Sequence, residues 1–221
     1  MTKPLILVAG GMGYIGSHTV VELINAGYEA LIVDNLSNSN LGVLDGIDAI
    51  TGKRPEFIEA DCADLDAMRS IFASHPAIAG VIDFAASKAV NESVHKPLLY
   101  YRNNIVSLLN LLECINGAPE CRGIVFSSSC TVYGEPDTNP VTEMSPVKPA
   151  TSPYGNTKQI SEDIIRDTVA AGTSFNAILL RYFNPVGAHP SALIGELPNG
   201  VPQNLIPYLT QTAIGIRKQL S

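Results

Sequence analysis

Tyr154-Gly-Asn-Thr-Lys158 sets a phenol four residues before an ammonium. On a helix that spacing brings both side chains onto one face. A phenol with its ordinary pKa of ~10 is a poor base at neutral pH, but a cation beside it favours the phenolate and lowers that value. The pair therefore suits removal of a proton from a hydroxyl group. Ser129, which closes the run Phe126-Ser-Ser-Ser129, offers a second hydrogen bond to the same hydroxyl. By itself, Tyr-x-x-x-Lys is common by chance and reads better as a polar pair on the surface of an amphipathic helix. The chemical reading depends on what lies upstream.

Leu5 to Gly16 supplies that context. The apolar run Leu5–Ala9 has the length of a strand buried on both faces, and it stops at glycines. Gly11-x-Gly13-x-x-Gly16 fits the dinucleotide fingerprint, and Gly10-x-x-Gly13-x-x-Gly16 fits a close variant. Such glycines make a tight turn, let the backbone approach a pyrophosphate and allow close helix–strand packing. The helix expected at Ser17–Ala26 aims N–H groups and the positive end of its dipole at the phosphates. A second strand, Ala30–Asp34, ends in an acid. At that distance a carboxylate accepts hydrogen bonds from the ribose hydroxyls of an adenosine and repels a 2′-phosphate. The expected cofactor is NAD rather than NADP, and its positive nicotinamide ring also favours a Tyr154 phenolate. The alternative for Asp34 is a residue that only begins a turn.

Six strand-like runs alternating with helices must bring these groups together. After the first two, the expected strands are Glu56–Ala60, Gly80–Phe84, Gly123–Phe126 and Asn176–Tyr182. Gly27 is expected to stop the first helix. Further helices are expected near Leu41–Ile50, at Asp64–His75 with Asp64 as its cap, at Pro97–Asn116, and at Pro153–Ala171 with Pro153 in the first turn. This alternation predicts an α/β fold, a Rossmann-like doubly wound parallel sheet with ligands at the carboxyl ends of its strands. Ala85-Ala86-Ser87 after the fourth strand leave room for a cofactor. Asp83, near the sheet interior, needs a partner. Asn103 and Asn104 interrupt an apolar helix face, so at least one is expected to bond the neighbouring loop or a ligand. From Asn184 onward the pattern changes to loops rich in proline and glycine, with one helical run at Gln203–Arg217. Residues 1–182 read as the cofactor domain and residues 183–221 as the start of a smaller substrate-binding domain.

The 221 residues carry a formal charge of −7, which disfavours non-specific binding to nucleic acid or to an anionic membrane. No apolar run reaches membrane-spanning length. The run after Lys3 ends in glycines without a cleavage pattern, so a cytoplasmic protein is expected. Cys62, Cys114, Cys121 and Cys130 form no C-x-x-C, and the four histidines are scattered. No metal site is expected, and the cysteines read as small reduced core residues.

Together these residues resemble the extended short-chain dehydrogenase/reductase family, and within it the members that epimerise UDP-hexoses at C4. The resemblance rests on residues 10–19, 34–39, 88–94, 96–104, 126–134 and 152–158. Its most specific part is 180–191, Leu-Arg-Tyr-Phe-Asn-Pro-Val-Gly-Ala-His-Pro-Ser. It implies an NAD site lined by Tyr14 and Ile15, by Asp34, Asn35, Leu36, Ser37, Asn38 and Ser39, and by Asp61 and Cys62. To these it adds Phe84, Ala85, Ala86, Ser87 and Lys88, then Asn103, Tyr154, Lys158 and Phe183. It implies that Ser129 and Tyr154 hold a sugar hydroxyl, that Asn184 approaches a UDP diphosphate, and that Asn204 with Leu205 continues the nucleotide-sugar pocket.

The implied reaction belongs to galactose metabolism. Phenolate Tyr154 takes the proton of the sugar 4-hydroxyl, the C4 hydride passes to NAD, and it returns to the other face of a transient 4-keto sugar. The resemblance also implies a homodimer in which helices 97–116 and 153–171 pair across the axis. Two departures stand out. Asp83 occupies a position where the family usually has histidine. The family's chains also continue past the point matching Ser221, into an arginine for the diphosphate and the uracil pocket. The 221 residues alone are therefore expected not to epimerise, and to expose apolar side chains after residue 182. Alternatives are a nucleotide-sugar dehydratase or decarboxylase, which needs an added acid/base pair near Tyr154, and a non-catalytic NAD-binding protein. The first lacks an acidic pair beside Pro153 and Thr131; the second leaves the intact Ser129, Tyr154 and Lys158 without a purpose.

Overall fold

The computed structural model describes residues 3–197, 201–202 and 204–219. Six parallel strands form one sheet in the order β3-β2-β1-β4-β5-β6: β1 (Leu5–Ala9), β2 (Glu29–Asp34), β3 (Glu56–Glu59), β4 (Ile78–Asp83), β5 (Gly123–Ser129) and β6 (Asn176–Tyr182). The helices are α1 (Tyr14–Asn25), α2 (Gly42–Thr51), α3 (Leu65–Ser74), α4 (Val90–His95), α5 (Pro97–Asn116), α6 (Pro153–Ala170) and α7 (Leu205–Ala213). The sequence order reverses between β1 and β4, the switch point at which such sheets open a crevice for a ligand.

Successive side chains of a strand point to opposite faces, and the two faces of β1 seed two cores. Leu7 and Ala9 join Leu31, Val33, Met68, Leu108, Leu111, Phe126 and Ile165 on one side. Val8 joins Met12, Val20, Val21, Ile32, Leu44 and Ile47 on the other. Ile194 is 4% exposed and belongs to this second cluster, so the chain after β6 returns to α1 and α2. Gly46 makes that approach possible, since a Cβ there would stand 2.7 Å from the Leu193 carbonyl oxygen. Phe183, Leu197, Leu205 and Ile214 are exposed, as expected of that segment, whereas Ile194 is not.

Most boundaries lie within one or two residues of the sequence expectation, with β4 running over Ile78–Asp83 instead of Gly80–Phe84, and three elements differ by more. Helix α1 begins at Tyr14, because the last glycine lies inside its first turn instead of ahead of it. Strand β5 runs three residues further, through the serines, because Ser127, Ser128 and Ser129 pair with Leu180, Arg181 and Tyr182 of β6. Helix α7 is shorter than Gln203–Arg217, and Gln203 lies outside the described residues. Two short elements had no sequence signal: α4, which buries Ser93, and a 3₁₀ turn at Cys130–Tyr133. Two local expectations hold. The Asp64 carboxylate accepts the Asp66 and Ala67 amides at 3.0 and 3.1 Å, and Gly27 adopts φ +90° after α1.

Candidate active site

The turn after β1 is held by backbone. The Gly10 amide donates to the Val33 carbonyl at 2.8 Å and the Gly13 amide to the Gly10 carbonyl at 3.1 Å. Gly10 has φ +71°, and a Cβ on it would lie 2.8 Å from the Phe84 carbonyl carbon. A Cβ on Gly16 would lie 2.3 Å from the Gly10 oxygen. Gly13 differs: its added Cβ would meet only the Gly10 oxygen, at 3.3 Å. Close packing against backbone accounts for Gly10 and Gly16, whereas a Cβ on Gly13 would press on one atom alone. Helix α1 has no side-chain cap, so its first amides are left for another acceptor. These features fit a pyrophosphate.

The contrast makes a prediction. Gly16→Ala should destabilise the domain by about 1–3 kcal/mol or more through overpacking. Gly13→Ala should leave the melting midpoint nearly unchanged and weaken dinucleotide binding at least about tenfold. Calorimetry and titration on the two variants separate these effects. Equal loss of stability in both would remove the ligand-facing role of Gly13.

Asp34 is buried at the end of β2. Its Oδ2 accepts the Met12 amide at 3.1 Å, and its Oδ1 accepts the Leu36 amide at 2.9 Å and the Ser39 hydroxyl at 3.0 Å. Three of its roughly four acceptor positions are thus engaged by the chain. The residue organises both the glycine turn and the loop that follows it. In that loop Leu36 takes φ +56°, the Ser37 amide donates to Asn35 Oδ1, and Asn38 is exposed. Asn35 Nδ2 donates to Asp61 Oδ2 at 3.2 Å, which joins the ends of β2 and β3. Next to it Cys62 is buried, and burial pushes its thiol well above its ordinary value.

After β4, Phe84, Ala85 and Ala86 lead to Ser87, whose amide donates to Asn104 Oδ1 at 2.8 Å. Asn104 Nδ2 donates to the Ser87 carbonyl at 3.0 Å and to Thr157 Oγ1 at 3.1 Å, and Asn103 Nδ2 donates to Ser87 Oγ at 3.2 Å. Both asparagines therefore tie α5 to the cofactor loop, and Asn104 reaches α6 as well. Lys88 Nζ lies 3.8 Å from Glu196, which also accepts from Asn204 Nδ2 at 2.7 Å. The Tyr14 hydroxyl donates to the Gly187 carbonyl at 2.6 Å. The segment after β6 is thus fastened to two elements of the glycine-turn side. Ile15 is partly buried beside Tyr14 in the first turn of α1, while Phe183, Asn184 and Leu205 are exposed.

Tyr154 and Lys158 occupy the first turns of α6, where Ser152 Oγ caps the Gly155 amide at 3.1 Å. Lys158 Nζ donates to the Ser127 carbonyl at 2.8 Å and stands 4.7 Å from the Phe126 ring centre and 5.9 Å from that of Tyr154. Ser129 Oγ accepts from the Thr131 amide at 3.2 Å and from its hydroxyl at 3.0 Å. It also lies close enough to the Tyr154 hydroxyl to favour its ionised form.

The phenol corrects one expectation. Its pKa lies above the ordinary value, because burial outweighs the Ser129 hydroxyl that pulls it down. The Lys158 ammonium, which donates to the Ser127 carbonyl, stands 5.9 Å from the ring centre and does not offset that burial. Tyr100, fully buried in α5, meets the Tyr154 ring edge-on with centroids 6.5 Å apart. The sequence singled out neither Tyr100 nor Thr157, because both lie at ordinary helical positions and gain meaning only from the packing of α5 on α6.

A parallel sheet of this order, with a glycine turn at its centre and Ser129, Tyr154 and Lys158 at the adjoining strand ends, defines a dinucleotide-binding domain of the short-chain dehydrogenase/reductase type. More narrowly, residues 6–213 match the model of the NAD dependent epimerase/dehydratase family, and the chain belongs to that family. It is 53% identical over 216 residues to a UDP-glucose 4-epimerase of Bacillus subtilis, covering 98% of this chain and 63% of that protein. A UDP-glucose 4-epimerase of Dictyostelium discoideum is 54% identical over 216 residues, with 98% and 62% covered. Among solved structures, the UDP-glucose 4-epimerase from Bifidobacterium longum in complex with NAD+ and UDP superposes with a TM-score of 0.94 at 46% identity, over 97% of this chain and 64% of that one. The chain thus spans less than two thirds of the length of these relatives.

Proposed function

We propose that these residues form the cofactor domain and catalytic group of an NAD-dependent UDP-hexose 4-epimerase acting on UDP-glucose and UDP-galactose. The observation that carries the reading is the approach of Ser129, at the end of β5, to Tyr154 and Lys158 in the first turns of α6. The similarity to UDP-glucose 4-epimerases at about half identity supports the choice of substrate.

Bound NAD would supply an acceptor and donor for the C4 hydride and a positive ring beside the phenol. The chain's own part is to hold and move one proton. Tyr154 Oη takes it from the sugar 4-hydroxyl, with the Ser129 hydroxyl bonded to the same oxygen, and returns it when the ketone has presented its other face. Lys158 provides the cation behind the phenol ring. Tyr100 and Ser129 fix the ring, and burial keeps water from the ketone. Asn184, Asn204 and Leu205 are assigned to the nucleotide-sugar side, and Asp34 to the adenosine ribose. A dehydratase or decarboxylase is disfavoured by the residues flanking Tyr154, Pro153 and Gly155, neither of which is an acid.

Two measurements test this reading. NAD titrated onto the chain should bind at least about tenfold more tightly than NADP. These residues followed by the unmatched C-terminal part of the Bacillus subtilis relative should convert UDP-galactose to UDP-glucose. NAD binding without conversion would overturn the catalytic reading, and no preference for NAD would overturn the role of Asp34.

The proposed assembly is a homodimer. Helices α5 and α6 pack side by side, and α5 leaves Leu98 79% and Leu109 46% exposed, more apolar surface than the sheet-facing stripe needs. Mass measurement in solution should give twice the chain mass, and a clean monomer would count against the pairing. No described helix is long and apolar enough to cross a membrane, and the charge of −7 gives nucleic acid no attraction. The four free thiols fit a cytoplasmic enzyme.

A further inference from the structure

Asp83 ends β4 with its side chain inside the domain, 3% exposed, and the proton transfer described above makes no use of it. Its partner across the sheet is Phe126. Above the Phe126 ring sits Lys158 Nζ, and Lys158 is 4% exposed. The ammonium has three donors, and the Ser127 carbonyl takes one of them. A cation removed this far from water loses its proton readily unless an opposite charge faces it.

The groups around Lys158 narrow the choice. From β5 come the uncharged Phe126 and Ser127. On α6, Tyr154 lies one turn before, and Glu162 lies one turn after but is committed to Arg181 and Arg166. From α5, Asn104 reaches Thr157 and the Tyr100 ring meets Tyr154. The turn after β5 brings Ser129, Cys130 and Thr131, with the Cys130 thiol pushed up by burial. From β4 comes Asp83. Its own neighbours are the Ala85 amide, which donates to Oδ1 at 3.0 Å, and the Cys62 thiol.

We propose that Asp83 is a positioning residue for the catalytic pair: its buried carboxylate is the counter-charge that keeps Lys158 protonated and so keeps a cation behind Tyr154 at neutral pH. The proposal rests on the reading of Tyr154 as the base, but the charge coupling itself does not depend on that reading. The coupling runs in both directions. Burial drives Lys158 down to about 8 while Asp83 pulls it up; burial drives Asp83 up to about 6 while Lys158 pulls it down. Between those values both groups are charged. Below the lower one Lys158 faces a neutral acid, and above the higher one the ammonium is lost.

Asp83→Asn is the informative substitution because the amide oxygen still accepts the Ala85 N–H, so a purely structural role survives it. Stability is a poor readout, since losing a buried carboxylate and stranding a buried ammonium act in opposite directions. The direct readout is the ¹⁵N resonance of Lys158 Nζ across a pH series in the purified chain. In Asp83→Asn its midpoint should fall by about one unit or more, a tenfold rise in the acid dissociation constant. In the NAD-loaded, C-terminally extended form, the alkaline limb of turnover should move down by the same amount while the acid limb stays in place. The unsubstituted chain gives a second measurement that does not depend on the variant folding: the Nζ resonance should show a minor inflection as Asp83 titrates near 6. No inflection there, or an unchanged midpoint in the variant, would overturn the proposal. A shifted midpoint in a protein that never turns over UDP-galactose would uphold the charge pair and reject the epimerase reading.

Discussion

Tyr154→Phe should lower conversion of UDP-galactose by about 10²–10⁴-fold, the range of a positioned acid–base group, while NAD stays bound. The substitution removes one oxygen and keeps the ring against Tyr100, with centroids 6.5 Å apart. Its effect therefore isolates the proton transfer. Burial holds the phenol above its ordinary pKa, so the substitution should cost little stability and the melting midpoint should barely change. Near-normal turnover in this variant would exclude Tyr154 as the base. Loss of turnover together with loss of NAD would mean that the hydroxyl holds the cofactor, and the lost turnover would then not count for proton transfer.

The largest stability effect is expected at Glu162. Its carboxylate, buried in α6, receives Arg181 Nε at 2.9 Å and Nη2 at 2.7 Å, Arg166 Nη2 at 2.6 Å and the Ser128 hydroxyl at 2.5 Å. Arg181 in turn lies 4.7 Å above the Tyr133 ring. This network joins α6 to β5, β6 and the Cys130–Tyr133 turn that follows Ser129. Glu162→Ala leaves the Arg181 charge without its acceptor, and removal of one partner of a buried pair costs about 3–5 kcal/mol. Denaturant midpoints measure it, and a loss under about 1 kcal/mol would show that water replaces the carboxylate. The sign of the pH dependence also follows. Burial opposes ionisation, but Arg181, Ser128 and Arg166 prevail and hold the Glu162 carboxyl below its ordinary value. Its contribution is therefore present above the unfolded-state value of ~4.3 and is lost as the pH falls through the folded one.

Much of the frame was legible in the sequence because it rests on local signals. The apolar run of β1, the glycines after it and the acid closing β2 are read within thirty-four residues, and Pro97–Asn116 and Asn176–Tyr182 match their elements end to end. Strand β5 was read short because serine carries no strand signature; only pairing with β6 extends it to Ser129. The site was legible where spacing along one helix decides it, as at Tyr154 and Lys158. It was not legible where contact between elements decides it. Nothing in the sequence shows that Asn104 joins Ser87 to Thr157, or that Glu162 and Arg181 form a pair. The second partner of Lys158 was hidden for the same reason. Helical spacing places the ammonium on the Tyr154 side, 5.9 Å from the ring centre, but does not show the Ser127 carbonyl that it also meets.

The position of β1 also bears on how the chain comes together on the ribosome. Of the six strands of this sheet, the earliest in the sequence is an inner one, and its partners are added outward. Once Glu59 has emerged, β3, β2 and β1 can pair, with α1 and α2 already covering one face. The free edge of β1 then waits for Ile78–Asp83, and until those residues arrive Leu5–Ala9 offers unpaired backbone to any strand that meets it. The glycine turn belongs to the half made early; Ser129, Tyr154 and Lys158 belong to the half made late. A nascent chain thus acquires its anion-binding turn well before its proton-transfer group. A dinucleotide captured at that stage would guard the waiting edge by stabilising the β1–turn–α1 unit against which β4 must dock.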